Sequence, residues 1–241
     1  MRQTILAITI GALILLALPL FTLISGWQWH PLQIGLGNLK PLYWATETVT
    51  LPWGILTSMI LLIWFLWCLR LPPQRAILLI TLIAGFILTG QLAKSLIKNQ
   101  IQEPRPFVLW LEHEYKIDDQ EFYKLSRKQR DHLIDTTLSK QTTIPPWLRQ
   151  HWQFETGFAF PSGHTMFVAS WALLAIGLLW PRKHYVTVII LTLWAVTVMV
   201  SRLVLGMHWP TDLIAATIIS WALAIFTCWA IEYKYKLQKN N

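Results

Sequence analysis

A small group of ionisable residues stands out from a chain that is otherwise poor in charge: Lys98, Arg105, the run Pro161-Ser162-Gly163-His164, Arg202, His208 and Asp212. His208 and Asp212 are four residues apart, a spacing that stacks them on one helical face if a helix begins near Pro210. A carboxylate that holds one imidazole nitrogen fixes the tautomer and leaves the other nitrogen with an attacking lone pair. His164 lies on a different segment and is free to serve as general acid, with an ordinary pKa of about 6.5. Lys98, Arg105 and Arg202 would repel one another around an empty centre. A phosphate between them, with up to two negative charges and several acceptor oxygens, meets that need. Ser162 is suited to cap a helix whose first free N–H groups make a second anion site, and Gly163 lets backbone approach an oxyanion closely. The two histidines and Asp212 could also ligate zinc. Three neighbouring cations already supply the charge a divalent ion would bring, and there is no carboxylate cluster suited to magnesium. The expectation is a site without metal or cofactor.

Each residue also has a plainer reading on its own: a snorkelling anchor for Lys98 or Arg105, a simple helix cap for Ser162, an interfacial residue for His208. Sidedness decides against those readings jointly, and sidedness depends on the elements that carry the residues. Of the 241 residues, 54% are hydrophobic and 13% charged, with mean hydropathy +0.45. Soluble domains carry roughly 25% charged residues, so this chain lacks the polar surface of a soluble fold. Six stretches approach the ~20 apolar residues of a transmembrane helix: Ile5–Gly26, Leu51–Trp67, Ala76–Leu96, Thr165–Trp180 (extended back to Pro161), Tyr185–Leu205 and Thr211–Glu232. These predict an all-α membrane protein, one domain over residues 1–241, built as a six-helix bundle. The first stretch is longer than a signal-peptide core and lacks an evident cleavage site, so it reads as a retained span.

Basic residues set the orientation. Arg2, the pair Arg70 and Arg75, the pair Arg182 and Lys183, and the group Lys234, Lys236 and Lys239 all fall on one side of six spans, which predicts cytoplasmic termini. Every candidate site residue then falls on the opposite face, although those residues were not used to set the orientation. The outer connections are Trp27–Thr50, with little net charge, a short turn near Val204–Pro210, and the long segment 99–160. Within the last, Asp118–Lys140 reads as a solvated helix. The aromatics Trp147, Trp152, Phe154, Phe158 and Phe160 then suggest either a segment at headgroup level or a small packed cap. The net charge of +8 and pI near 9.7 come without a basic run, which argues against nucleic acid. Cys68 and Cys228, inside apolar stretches, read as unpaired packing residues.

These residues match a known pattern. The chain resembles the type 2 phosphatidic acid phosphatase superfamily, whose signatures Lys-x6-Arg-Pro, Pro-Ser-Gly-His and Ser-Arg-x5-His-x3-Asp read here as KNQIQEPRP from Lys98, PSGH from Pro161 and SRLVLGMHWPTD from Ser201. Stretches such as SGWQWHP, ATETVTLPWG and ETGFAFPSGHTMF are similar to a bacterial phosphatidylglycerophosphatase subgroup. The resemblance implies a phosphohistidine on His208 oriented by Asp212, with His164 protonating the leaving group and then activating water. It implies that Lys98, Arg105, Ser162, Gly163 and Arg202 hold the phosphoryl oxygens. It also implies a site open to the periplasm from the bacterial inner membrane, and lipid substrates that include phosphatidylglycerol phosphate, undecaprenyl diphosphate and phosphatidate. No obligate protein partner is inferred. Glu155, seven residues before Ser162, reads as a headgroup selector, a partner of a site cation, or a solvent-exposed acid without a role. Lys94, one turn before Lys98, is left outside the site. Two alternatives remain open: a phosphotransferase using the same phosphoenzyme, and a non-catalytic protein that binds or transports lipid phosphates.

Overall fold

The computed structural model describes residues 1–31 and 35–240; the side chains of residues 36, 37 and 235–240 are not described. Among the described residues every regular element is helical. In chain order they are α1 (Arg2–Ile24), a 3-10 turn at Leu36–Leu39, α2 (Lys40–Glu47), α3 (Trp53–Leu69), α4 (Pro73–Ile101), α5 (Pro106–Tyr115), α6 (Asp119–Lys124), α7 (Arg127–Leu138), α8 (Pro146–Phe154), α9 (Gly163–Leu179), α10 (Tyr185–Val204) and α11 (Pro210–Asn240).

The apolar helices are arranged around α9. It is hydrophobic on all sides and buried from Thr165 to Leu179, as a helix at the centre of a bundle must be. It packs against α1, α3, α4, α10 and α11. The outer helices turn large apolar side chains away from the bundle, among them Leu13 and Ile14 of α1, Ile63 of α3, Leu88 and Leu92 of α4, and Val186 of α10. In water such a surface would drive association; in lipid it is the expected exterior. By length and composition five of the described helical stretches are able to cross a membrane, beginning at Arg2, Pro73, Gly163, Tyr185 and Pro210, while α3 is a shorter apolar helix of 17 residues.

Boundaries differ from the sequence reading in informative ways. α4 continues to Ile101, so Lys98 sits within its last turn rather than in a loop beyond the span. The charged stretch Asp118–Lys140 is not one helix. It breaks at Leu125, and Ser126 restarts α7 through a capping box with Gln129, which satisfies N–H groups that a continuous helix would have used internally.

Helices α5 to α8 form a cap with an apolar core of its own. Trp152 is fully buried there, stacked on Phe107 at 5.1 Å and met edge-on by Trp29 at 5.9 Å. Ile134, Leu138 and Leu148 complete it. Full burial of an apolar side chain contributes roughly 1.5–3 kcal/mol, so this core makes the segment a folded unit. Of the two readings of the aromatic stretch, the packed cap describes its interior. Both cysteines are free and buried.

The two ends of the bundle differ. Thr4, Leu69, Leu71, Pro181, Arg182 and Glu232 border one recess, so the start of α1, the end of α3, the turn before α10 and α11 near Glu232 share one end. The opposite end, where α9 starts and α10 finishes, carries the cap.

Candidate active site

The three polar signature segments are tied together by backbone hydrogen bonds at the capped end. Ser162 N–H donates to the Asp212 carbonyl at 3.3 Å, and Ala159 N–H donates to the Glu103 carbonyl at 2.7 Å. Between α10 and α11 a five-residue connection is held on every side. The Val204 carbonyl that ends α10 and the Leu205 and Gly206 carbonyls that follow it accept from Trp29 Nε1, Trp152 Nε1 and Phe107 N–H respectively, and Trp209 Nε1 donates to the Pro104 carbonyl. His208 N–H turns back to the Arg202 carbonyl. The cap core therefore fixes the loop that carries His208.

His208 precedes α11 by two residues, so its pairing with Asp212 is not the stacked helical pair that the spacing suggested. Asp212 lies in the first turn of α11, and its Oδ2 accepts from Trp209 N–H at 2.9 Å while standing 3.0 Å from His208 Nδ1. Both side chains are buried. With Nδ1 facing a carboxylate, the proton belongs on Nδ1 and Nε2 keeps its lone pair. Burial first, then the Arg105, Arg202 and Lys98 cations, hold the His208 imidazole well below its ordinary pKa.

The cations gather on the stretch 155–158. Arg202, fully buried at the end of α10, donates from Nη2 to Glu155 Oε2 at 2.6 Å. Arg105 donates from Nη1 to the same oxygen at 3.2 Å and from Nε to the Gly157 carbonyl at 2.5 Å. Lys98 Nζ reaches the Phe158 carbonyl at 2.5 Å. Glu155 is thus a half-buried acid between two guanidiniums at the edge of the cleft, and the reading of it as solvent-exposed is corrected. Burial would raise its pKa, but Arg202, His164, His151 and Arg105 outweigh that effect and hold the carboxyl well below the usual range. Its Oε1 stands 3.3 Å from His164 Nε2, without the alignment of a hydrogen bond.

Ser162 caps α9, its Oγ accepting from Thr165 N–H at 3.2 Å. A methyl on Gly163 would sit 2.7 Å from Lys94 Cδ, so the lysine left aside in the sequence lies directly against this turn. Polar residues of the connection before α3 were missed altogether. Thr50 Oγ1 is 3.1 Å from His164 Nε2, and Arg202 Nη1 donates to Thr46 Oγ1 at 2.9 Å and to His151 Nε2 at 3.1 Å. His151 Nδ1 is in turn 3.5 Å from Glu47. The available signal was Glu47, the one carboxylate in an otherwise uncharged run next to an apolar helix.

A cleft of about 770 Å³ opens beside His164 and Glu155. Its outer walls are Ile55 and Ser58 of α3 and Ile87 and Leu88 of α4, with Phe167 of α9 further in. Ile55 and Leu88 are themselves exposed on the bundle exterior, so the cleft faces the surroundings of the apolar helices. Among the described residues the acidic group able to converge on a metal ion, Glu112, Asp118 and Asp119, lies on the cap.

Comparison with known proteins gives consistent relatives. Residues 74–236 match the PAP2 superfamily. The chain is 54% identical to phosphatidylglycerophosphatase B of Escherichia coli K12 over 232 residues, covering 96% of this chain and 91% of that protein. It is 33% identical to phosphatidylglycerophosphatase B of Haemophilus influenzae, covering 90% of this chain and 91% of the relative.

Proposed function

The chain belongs to the PAP2 superfamily and is a phosphatase of membrane lipids, and on that premise we propose that it hydrolyses phosphatidylglycerol phosphate to phosphatidylglycerol through a phosphohistidine on His208. Undecaprenyl diphosphate, phosphatidate and related lipid phosphates are proposed as further substrates, because the cluster of cations addresses a terminal phosphoryl group and not the rest of the lipid. One observation carries the reading: the 3.0 Å contact of His208 Nδ1 with Asp212, which reserves Nε2 for attack.

In the first step Nε2 attacks phosphorus while the phosphorus–oxygen bond to the lipid breaks. The electron pair leaves with that oxygen, which takes a proton from His164. Lys98, Arg105 and Arg202 offset the charge that spreads over the three remaining oxygens, assisted by the N–H groups at the start of α9. In the second step His164 takes a proton from water, the oxygen attacks phosphorus, and the phosphorus–nitrogen bond returns its pair to Nε2. Inorganic phosphate is released. Asp212 stabilises the His208 proton on Nδ1 throughout.

In the proposed arrangement α3 completes six spans of the inner membrane, both termini are cytoplasmic, and the site faces the periplasm. The support is the division of the bundle into one end that bears Arg182 and Glu232 beside the first turn of α1, and another that bears the cap. The lipid tail lies in the cleft between α3 and α4. The test is turnover of phosphatidylglycerol phosphate by purified protein in detergent, with and without a lipid acceptor. We expect release of inorganic phosphate by the wild type and none by His208→Ala with an unchanged unfolding transition. Substantial hydrolysis by the variant refutes the nucleophile, and transfer mainly to the acceptor favours a phosphotransferase.

A further inference from the structure

The segment 154–158 is held by a row of cations, and only part of that row belongs to the site described above. The Phe158 carbonyl accepts from Lys98 and the Gly157 carbonyl from Arg105. Continuing outward, the Thr156 carbonyl accepts from Arg130 Nη1 at 2.8 Å and the Phe154 carbonyl from Arg127 Nη2 at 2.7 Å. Arg127 and Arg130, both of α7, line the cleft together with Lys94, His164 and Glu155. On the facing wall α4 repeats the progression: Lys94 stands one turn from Lys98, a rise of about 6 Å, and leans on Gly163.

These outer cations are not neutralised. Among the described residues neither Arg127, Arg130 nor Lys94 has a carboxylate oxygen within ion-pair distance, and Glu155 is already committed to Arg105 and Arg202. Arg127 and Arg130 bond only carbonyls and lie over the rings of Phe154 and Tyr123, at 4.7 and 5.7 Å. Planar guanidiniums fixed in this way retain free N–H groups for an anion.

Spacing identifies the anion. The Thr156 and Phe158 carbonyls are two residues apart, at most about 7 Å along the chain. A glycerol bridge between two phosphorus atoms has as many bonds as two peptide units and the same reach. We propose that Lys94, Arg130 and Arg127 form a second anion subsite, which receives the non-scissile phosphate of a lipid carrying two phosphates while the terminal phosphoryl group occupies the site at His208. The inference rests on the lipid phosphatase reading and adds to it a basis for preference: a lipid with one phosphate leaves this subsite empty.

The test compares steady-state kinetics of the full-length protein on two lipids in the same detergent micelles, phosphatidylglycerol phosphate with two phosphates and phosphatidate with one. Arg127→Gln/Arg130→Gln is expected to lower kcat/KM on phosphatidylglycerol phosphate about tenfold, mainly through KM, and to lower that on phosphatidate distinctly less. Arg130→Lys keeps the charge and is expected to retain most of the preference. Equal losses on both lipids would overturn the subsite, because Arg130 would then act only by bracing the Glu155 segment. A double variant that does not fold transfers the decision to Arg130→Lys and Arg127→Gln measured singly, where unchanged preference in Arg127→Gln also overturns it. If the wild type hydrolyses neither lipid, the functional premise fails and the subsite with it; if it hydrolyses both and the variants lose them alike, only the subsite fails.

Discussion

At the scale of single residues the site depends on keeping unlike charges close and dry. Arg202 is fully buried, and its charge is matched by Glu155, which also faces Arg105 and His164. Removing one partner of such a cluster leaves a buried charge uncompensated, at a cost of about 3–5 kcal/mol. The same cations act on His208, the proposed nucleophile. Arg105 disfavours the imidazolium of His208, so it lowers the pKa of that ring and keeps the lone pair available as pH falls. Removing Arg105 reverses the sign: the imidazolium becomes easier to form, and protonation inactivates the nucleophile at a higher pH. We therefore expect Arg105→Gln to move the acid limb of kcat/KM to higher pH, beyond its effect on rate. The measurement is the pH profile of variant and wild type on one lipid, so that the substrate's own ionisation cancels. An unshifted limb would mean that Arg105 does not act on the His208 equilibrium.

At the scale of elements, the cap holds the site together. The connection between α10 and α11 is pinned by Trp29, Phe107 and Trp152, and it turns at Gly206 with φ of 72°. A methyl there would fall 2.5 Å from the Trp29 ring, and the left-handed backbone itself costs a non-glycine residue on the order of 1–3 kcal/mol. Gly206→Ala is expected to lower the unfolding temperature in detergent and to reduce turnover through displacement of His208. Wild-type stability and activity in this variant would contradict the bracing role of the cap. Here the limits of the sequence have physical causes. The apolar helices were legible because hydrophobicity over about twenty residues is a local property. The site residues of α4, α9, α10 and α11 were legible as a group because their types and sides agreed. The contacts of Thr46, Glu47, Thr50 and His151 were not, because their partners lie on other elements, more than forty residues away in sequence. Glu155 was seen, but its pairing with Arg105 and Arg202 joins three elements distant in sequence, which no local pattern encodes. The break at Leu125 was hidden because charge periodicity continues across it while the backbone does not.

At the scale of the molecule, a bundle with apolar walls presents a polar site at one end and a recess bordered by Arg182 and Glu232 at the other. Orientation can be read with single cysteines in a Cys68→Ala/Cys228→Ala background, since both native thiols are buried and contribute little. Lys140→Cys on the cap and Lys183→Cys before α10 are both exposed. In intact spheroplasts an impermeant maleimide is expected to label the first and to reach the second only after lysis; the opposite pattern would invert the proposed topology. The proposed function turns on one event, the transfer of a phosphoryl group to His208. It is tested most directly by rapid quenching into alkali after mixing with lipid labelled in its terminal phosphate, because a phosphorus–nitrogen bond survives base. The account predicts protein-bound label on His208 that forms before free phosphate and is absent from His208→Ala. Phosphate release at the normal rate with no label ever bound to the wild-type protein would contradict it.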